Sequence, residues 1–217
     1  MKSAIAGVAA QRMIPLWIKL AYTLFVGVLV PAYWVHYGPA NFLWASDIAL
    51  LGTVVALWRE SRLLASTMAV AVLLPELAWN LDFFTRLIVG RDVIGLDATA
   101  YMFDPARPLW LRALSSFHVF LPLLLLWLLH RLGYDRRALL ATTALCWVVL
   151  PVSFLLTDPA KNINWVFGWG EQPQTLLPAT GYLALLMMLF PLCVYLPTHH
   201  VLKKSVRKGP STVRRGN

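Results

Sequence analysis

The residues of this chain that could do chemistry are a few polar side chains set inside long apolar segments. Asp47, Glu76, Asn80 and His118 each interrupt such a segment. An ionisable side chain inside a membrane is costly and usually marks a site, a cavity or a pathway. A carboxylate and a histidine can act together as a general acid–base pair. They could also bind a divalent metal, although the sequence contains no close-spaced metal motif such as HExxH.

The segments that carry these residues are long enough to cross a membrane. The 217-residue chain is 59% hydrophobic and 13% charged, and its mean hydropathy is +0.65. Soluble domains carry about a quarter charged residues, and a spanning helix needs roughly 20 apolar residues. We therefore predict an all-α, polytopic membrane helix bundle. Its six or so transmembrane helices are expected at Ile14–Val35, Asn41–Trp58, Leu63–Phe84, Leu111–Leu132, Ala138–Thr157 and Leu176–Pro197.

Lysine and arginine residues predict the orientation of the bundle. They concentrate in the N-terminal segment, the short links after the second and fourth helices, and the tail. Cytoplasmic loops carry this excess, so both termini are expected to be cytoplasmic. The predicted parts are a cytoplasmic segment at residues 1–13, a transmembrane domain at 14–197 and a basic cytoplasmic tail at 198–217. We expect a multi-pass protein of the bacterial cytoplasmic (inner) membrane.

The net charge of +9 is explained by this orientation. Nucleic acid is therefore not expected as a partner. Membrane lipids are expected partners, because basic residues next to a membrane attract anionic headgroups.

The depth of the polar residues predicts that three helices contribute to one site. At about 1.5 Å per helical residue, Asp47 and His118 lie about 9 Å inside the outer ends of their helices. Glu76 lies about 12 Å inside its own helix end. These residues thus fall in one layer, in the outer half of the membrane. Asp82 points away from that layer, and we expect it to form an interfacial ion pair with Arg86, four residues later.

Prolines inside the predicted helices lie close to this layer. Proline has no N–H, so the carbonyl four residues earlier in a helix loses its usual donor. Pro122 is thus predicted to free the carbonyl of His118, and Pro75 immediately precedes Glu76. Freed carbonyls in membrane helices are satisfied by neighbouring side chains or water.

These patterns define a set of candidate site residues. Glu76, His118 and Asp47 are the candidates for catalysis, as acid–base or metal-binding groups. The candidates for binding a substrate are Asn80, Ser115, Arg112, Asn162 and Asn164. Asn162 and Asn164 have an alternative role, which we favour, because asparagine amides commonly satisfy the backbone of loops.

Three short segments carry a resemblance to a known group. They are NFLWASD at Asn41–Asp47, NINWVFG at Asn162–Gly168 and QPQTLLP at Gln172–Pro178, and His118 lies between the first two. In these features the chain resembles small bacterial membrane proteins of the YwaF-like group and, more distantly, eukaryotic transmembrane acyltransferases. The resemblance implies a similar architecture and a lipid-facing polar pocket. The cysteine found in that group at the start of the second helix is absent from WASD, so no acyl-transfer nucleophile is implied there.

Three functions are compatible with the sequence. The first is an enzyme that acts on a lipid or isoprenoid from the outer leaflet. The second is a non-catalytic membrane subunit, or a small-ligand-binding protein, of a larger complex with a membrane protein partner. The third is movement of protons or ions, which is disfavoured because the cytoplasmic half offers almost no polar path. An intramembrane carboxylate indicates function without specifying which of these applies.

Overall fold

The computed structural model describes residues 13–93, 95, 97–170 and 173–206. Most of the predicted N-terminal segment and the distal half of the basic tail lie outside these residues. The described chain is helical and contains no strand. Its α-helices, in chain order, are α1 Leu16–Tyr37, α2 Ala45–Arg59, α3 Arg62–Val89, α4 Ala100–Phe103, α5 Leu109–Leu114, α6 Phe117–Leu132, α7 Ala138–Leu156, α8 Ala179–Leu189 and α9 Leu196–Ser205.

Five stretches of the described chain are long and apolar enough to cross a membrane. They are Leu16–Tyr37, Arg62–Val89, Leu109–Leu132, Ala138–Leu156 and Ala179–Ser205. The prediction of a multi-pass helical membrane protein is thereby confirmed in its general form. Helix α2 has 15 residues, which corresponds to roughly 22 Å against a hydrocarbon core of about 30 Å. It is shorter than predicted because Pro39–Leu43 forms a 3₁₀ turn and Trp44 is extended.

Helix α3 is the central element of the bundle and packs against α2, α6 and α7. Every side chain from Ala65 to Val72 is buried. Most of these side chains are small, and small residues let membrane helices approach closely. At the contact with α2, a Cβ on Gly52 would lie 2.5 Å from the Met68 sulfur, so a larger residue there would make the flexible Met68 side chain move. This close packing fixes the position of Glu76 further along α3.

The fourth predicted span is interrupted at Ser115 and Ser116. Helix α5 ends at Leu114 and α6 begins at Phe117, and the two are joined by 3₁₀-type bonds such as His118 N–H to the Ser115 carbonyl at 3.2 Å. The interruption places Ser115 and His118 at the start of α6, beside the C-terminal half of α3.

The last span contains two prolines and a π-helical segment, Phe190–Tyr195, between α8 and α9. Pro191 removes the donor to the Met187 carbonyl, and the indole N–H of Trp147 donates to that carbonyl at 2.9 Å. A side chain from a neighbouring helix thus replaces the lost backbone bond, as the membrane environment requires.

Candidate functional site

The centre of the site is a direct contact between Glu76 of α3 and His118 of α6. His118 Nδ1 lies 2.8 Å from Glu76 Oε2 and 3.1 Å from Oε1. The Glu76 side chain is 2% exposed and that of His118 is 12% exposed. A carboxylate beside Nδ1 accepts a hydrogen bond from the Nδ1–H group. In the neutral imidazole Nε2 is then the unprotonated, basic nitrogen. Nε2 has no hydrogen-bond partner among the described residues.

Aromatic rings fix the orientation of the His118 ring. Trp79 stacks on it with ring centroids 4.5 Å apart, and Phe117 does so at 4.1 Å. Two nearly parallel rings at these distances cannot share one face, so they cover opposite faces of the imidazole. Trp79 also stacks on Phe83 at 5.2 Å. The imidazole can therefore exchange protons in its own plane but cannot turn freely.

Asn80 connects α3 and α6 beside this pair. Its amide nitrogen donates to the His118 carbonyl at 2.7 Å and to the Glu76 carbonyl at 2.7 Å. The His118 carbonyl is the one that Pro122 deprives of a helical donor, as the sequence predicts. Asn80 thus replaces a backbone bond, and its contribution to the site is to position His118.

Tyrosine hydroxyls extend the polar network toward α1. Tyr33 and Ser115 share a hydrogen bond of 2.6 Å, and both are buried. The hydroxyl of Tyr101 in α4 also interacts with Ser115 and Trp79. Burial raises the pKa of Tyr101, so this hydroxyl keeps its proton at neutral pH. Tyr33 and Tyr101 are not among the residues predicted for the site, because an isolated tyrosine near a helix end is common in membrane proteins.

Asp47 lies next to the pair, in the first turn of α2. Its side chain is buried, and its carboxyl group interacts electrostatically with that of Glu76. Asp47 Oδ2 accepts a long bond of 3.4 Å from the Asn41 amide, and Oδ1 has no hydrogen-bond partner among the described residues. Of the three predicted catalytic residues, Glu76 and His118 are therefore in direct contact, and Asp47 lies within electrostatic range of Glu76.

Asp82 does not form the predicted ion pair with Arg86, and that prediction was wrong. Asp82 Oδ2 accepts hydrogen bonds from the Thr99 backbone N–H at 2.9 Å and from the Thr99 hydroxyl at 2.7 Å. Arg86 pairs instead with Asp97 at 2.5 Å. The reason is that the loop after α3 folds back over the helix end and supplies partners that helical spacing alone does not reveal. This anchor holds α4 against the site.

Arg112 supports the same loop and does not reach the Glu76–His118 pair. Its guanidinium donates to the Met102 carbonyl at 2.7 Å and to the Arg107 carbonyl at 3.0 Å. Phe103 contacts Phe83 at 5.6 Å. Arg112 therefore fixes the loop that brings Tyr101 to the site.

The two loop asparagines are used by backbone groups. Asn162 donates to the Gly168 carbonyl at 2.8 Å and accepts from the Phe167 N–H at 3.0 Å. Asn164 accepts from the Ala45 N–H at 3.0 Å and donates to the Leu43 carbonyl at 2.7 Å. Asn164 therefore holds the start of α2, where Asp47 lies, and its amide is occupied in that role.

No group of three or more metal-ligating side chains occurs within the part of the chain that the structure describes. An apolar cavity of about 40 Å³ lies among α2, α3, α7 and the π-helical segment, with Met68, Cys146 and Tyr195 in its lining. This volume is close to that of one water molecule, and neither Glu76 nor His118 lines it.

The fold and the site define a multi-pass helical membrane protein with a buried carboxylate–histidine pair. Comparisons with protein-family models, curated proteins and solved structures find no match to this chain.

Proposed function

We propose that this protein is an enzyme of the bacterial cytoplasmic membrane that acts on a lipid or isoprenoid substrate from the outer leaflet. The observation that carries the proposal is the bond between Glu76 and His118 Nδ1, which leaves Nε2 without a partner in the described chain. His118 is the proposed base, Glu76 orients it and stabilises its charged form, and Asn80 holds it against α3. Residues paired in this way recur in acid–base catalysis on unrelated folds.

The proposed chemical step is a proton transfer coupled to nucleophilic attack. His118 Nε2 takes the proton from a hydroxyl group or water as its oxygen bonds to an electrophilic carbon or phosphorus of the lipid. The bond to the leaving oxygen then breaks, and that oxygen receives the proton from Nε2. Charge is conserved, and no oxidant or reductant is needed.

We also propose a membrane topology of six crossings, which would put the site in the outer half of the membrane. The links Gly38–Trp44 and Glu60–Ser61 are short, so α1, α2 and α3 alternate in direction. Helix α2 is then a short sixth crossing, and the arginine and lysine bias puts both termini in the cytoplasm. Single cysteines at exposed positions of the α3–α5 loop should react with an impermeant maleimide in whole cells, whereas cysteines in the tail should not.

Lipid turnover in proteoliposomes tests the proposal. The full-length protein is reconstituted in a native lipid extract, and lipid species are followed by mass spectrometry. Glu76→Gln and His118→Gln should each lower turnover by at least about 100-fold, the usual share of acid–base catalysis. His36→Gln is the matched control, because His36 is exposed and bonds its own helix at the Ala32 carbonyl. Undiminished turnover in both site variants would refute the proposal.

A second candidate function is that of a non-catalytic membrane subunit. One observation favours it: the amides of Asn80 and Asn164 are both occupied in contacts between segments of this chain. In that case Glu76→Gln and His118→Gln would lower stability without changing any lipid, and the wild-type protein would copurify with one larger partner. Absence of lipid turnover together with such a complex would select this function.

A further inference from the structure

Two buried polar atoms beside the Glu76–His118 pair have no hydrogen-bond partner within the described chain. They are Asp47 Oδ1 and the Tyr37 hydroxyl. Tyr33 links the two: its ring makes an edge contact with that of Tyr37 at 5.0 Å, and it lies within electrostatic range of Asp47. Buried polar groups are nearly always paired. Two unpaired atoms in one neighbourhood therefore indicate a group that the site binds.

The charged residues of this neighbourhood indicate whether the bound group is a cation or an anion. Asp47 and Glu76 are both acidic, and the basic residue in contact with either of them among the described residues is His118, which is bonded to Glu76. Asp47 is 3% exposed and lies in the first turn of α2, where the helix dipole favours an ionised carboxylate. That dipole supplies only a partial positive charge and no donor to Oδ1. In its ionised state Asp47 therefore carries a negative charge that a bound cation would balance.

The surrounding rings are suited to a cation. Tyr37 and Tyr101 present aromatic faces, and such faces attract positive charge. The Arg107 guanidinium already lies over both of them, 5.6 Å from the Tyr37 ring and 5.8 Å from the Tyr101 ring. Arg107 pairs with Asp104 in the loop and forms no ion pair with Asp47 among the described residues.

We propose that Asp47 and Tyr37 form a binding site for one monovalent cationic group, distinct from the proton-transfer role of His118. Asp47 Oδ1 supplies the charge, the Tyr37 hydroxyl supplies a neutral oxygen ligand, and the tyrosine rings shield the charge. An alkali-metal ion and an organic ammonium group share this chemistry. They differ in size and in their hydrogen-bond donors, so they can be separated by experiment.

Thermal unfolding of the purified full-length protein in detergent tests the site. N-methylglucamine is the reference cation at constant ionic strength, and sodium, potassium or ethanolammonium replaces it stepwise. The wild type should show a saturable rise in Tm with at least one of the three. A response to sodium or potassium identifies an inorganic ion, and a response to ethanolammonium alone identifies an ammonium group. Asp47→Asn should abolish the response, because the amide carries no charge.

Two further variants keep the test decisive. Tyr37→Phe retains the charge and should shift half-saturation to a higher cation concentration, which can be measured even if Asp47→Asn does not fold. Asp158→Asn, at an exposed carboxylate that accepts from the Ala160 N–H, should respond as the wild type does. No saturable rise with any of the three cations, or an equal rise in the wild type and Asp47→Asn, would overturn the site.

The same variants separate this site from the proposed catalysis. His118→Gln should lose lipid turnover and keep the cation response, since Asp47 is unchanged. A protein without turnover but with a response that depends on Asp47 would retain the cation site and refute only the enzyme.

Discussion

The bond from Asn80 to the His118 carbonyl allows a quantitative test of how the site is held together. Replacing Asn80 by leucine keeps a similar volume and removes the donor. The His118 carbonyl then has no donor from its own helix, because Pro122 has no N–H, and it has also lost the Asn80 side-chain amide. In the double variant with Pro122→Ala, residue 122 regains an N–H that can bond this carbonyl. The cost of losing Asn80 should therefore depend on the residue at position 122.

The expected loss of unfolding free energy in Asn80→Leu follows from the number of polar groups that the substitution leaves unpaired. An unpaired buried carbonyl costs about 1 to 3 kcal/mol, and side-chain hydrogen bonds in membrane proteins contribute about 0.6 kcal/mol on average and at most about 1.7. We expect Asn80→Leu to lower the free energy of unfolding by about 1 to 2 kcal/mol. In the Pro122→Ala background the same change should cost about 1 kcal/mol less. The Glu76 carbonyl, the other acceptor of Asn80, contributes equally in both backgrounds and cancels.

Equilibrium unfolding in mixed micelles, measured for the wild type, both single variants and the double variant, gives this coupling energy directly. Thr85→Val is a suitable control, because the Thr85 hydroxyl bonds carbonyls of its own helix. Its effect should be the same with proline or alanine at position 122. An identical cost of Asn80→Leu in both backgrounds would refute the view that Asn80 replaces the bond removed by Pro122.

Three further predictions concern the segments around the site. Burial alone would raise the pKa of Glu60, but hydrogen bonds from Lys19 and two backbone amides lower it from its ordinary 4.5. The ionised Glu60 carboxylate therefore stabilises the fold fully above about pH 4.5, and this stabilisation is lost as the pH falls further. A Tm–pH profile should show this loss in the wild type and not in Glu60→Gln; equal profiles would contradict it. Asn164 has φ 55°, so Asn164→Ala should be about 1 kcal/mol less stable than Asn164→Gly in the same unfolding assay, and equal stability would argue against strain. Thr99→Val removes a donor to Asp82 and should speed hydrogen exchange in the loop around α4, whereas unchanged exchange would mean that the hydroxyl does not anchor it.

The proximity of Glu76 and His118 could be anticipated from the sequence because both residues lie in helices whose direction could be predicted. Depth along a helix follows from a fixed rise per residue. Two polar residues at similar depth on neighbouring helices are therefore expected to lie close together. The loss of the helical donor to the His118 carbonyl could likewise be predicted, because Pro122 lies four residues later and has no N–H. Each of these predictions depends on local geometry that a regular helix repeats.

Contacts made by irregular segments could not be predicted in this way. Tyr101 reaches the site because Thr99 bonds Asp82 from 17 residues away, and no periodic pattern encodes that distance. The start of α2 depends on Asn164, 119 residues away in the chain. The Asp82–Arg86 pair was predicted from helical spacing alone, and it failed because the loop offers Arg86 the carboxylate of Asp97 and offers Asp82 the donors of Thr99.

The distribution of unpaired atoms distinguishes structural from functional polar residues in this bundle. Asn80, Asn164 and Trp147 each supply hydrogen bonds to backbone groups that prolines or helix ends leave without a partner. In the membrane such bonds are obligatory, so these side chains need no further role to explain their position. Asp47 Oδ1, by contrast, supports no backbone group, and neither does His118 Nε2. Among the described residues around Glu76, these two atoms and the Tyr37 hydroxyl are therefore left unused by the fold, and a ligand or a proton should be sought at them.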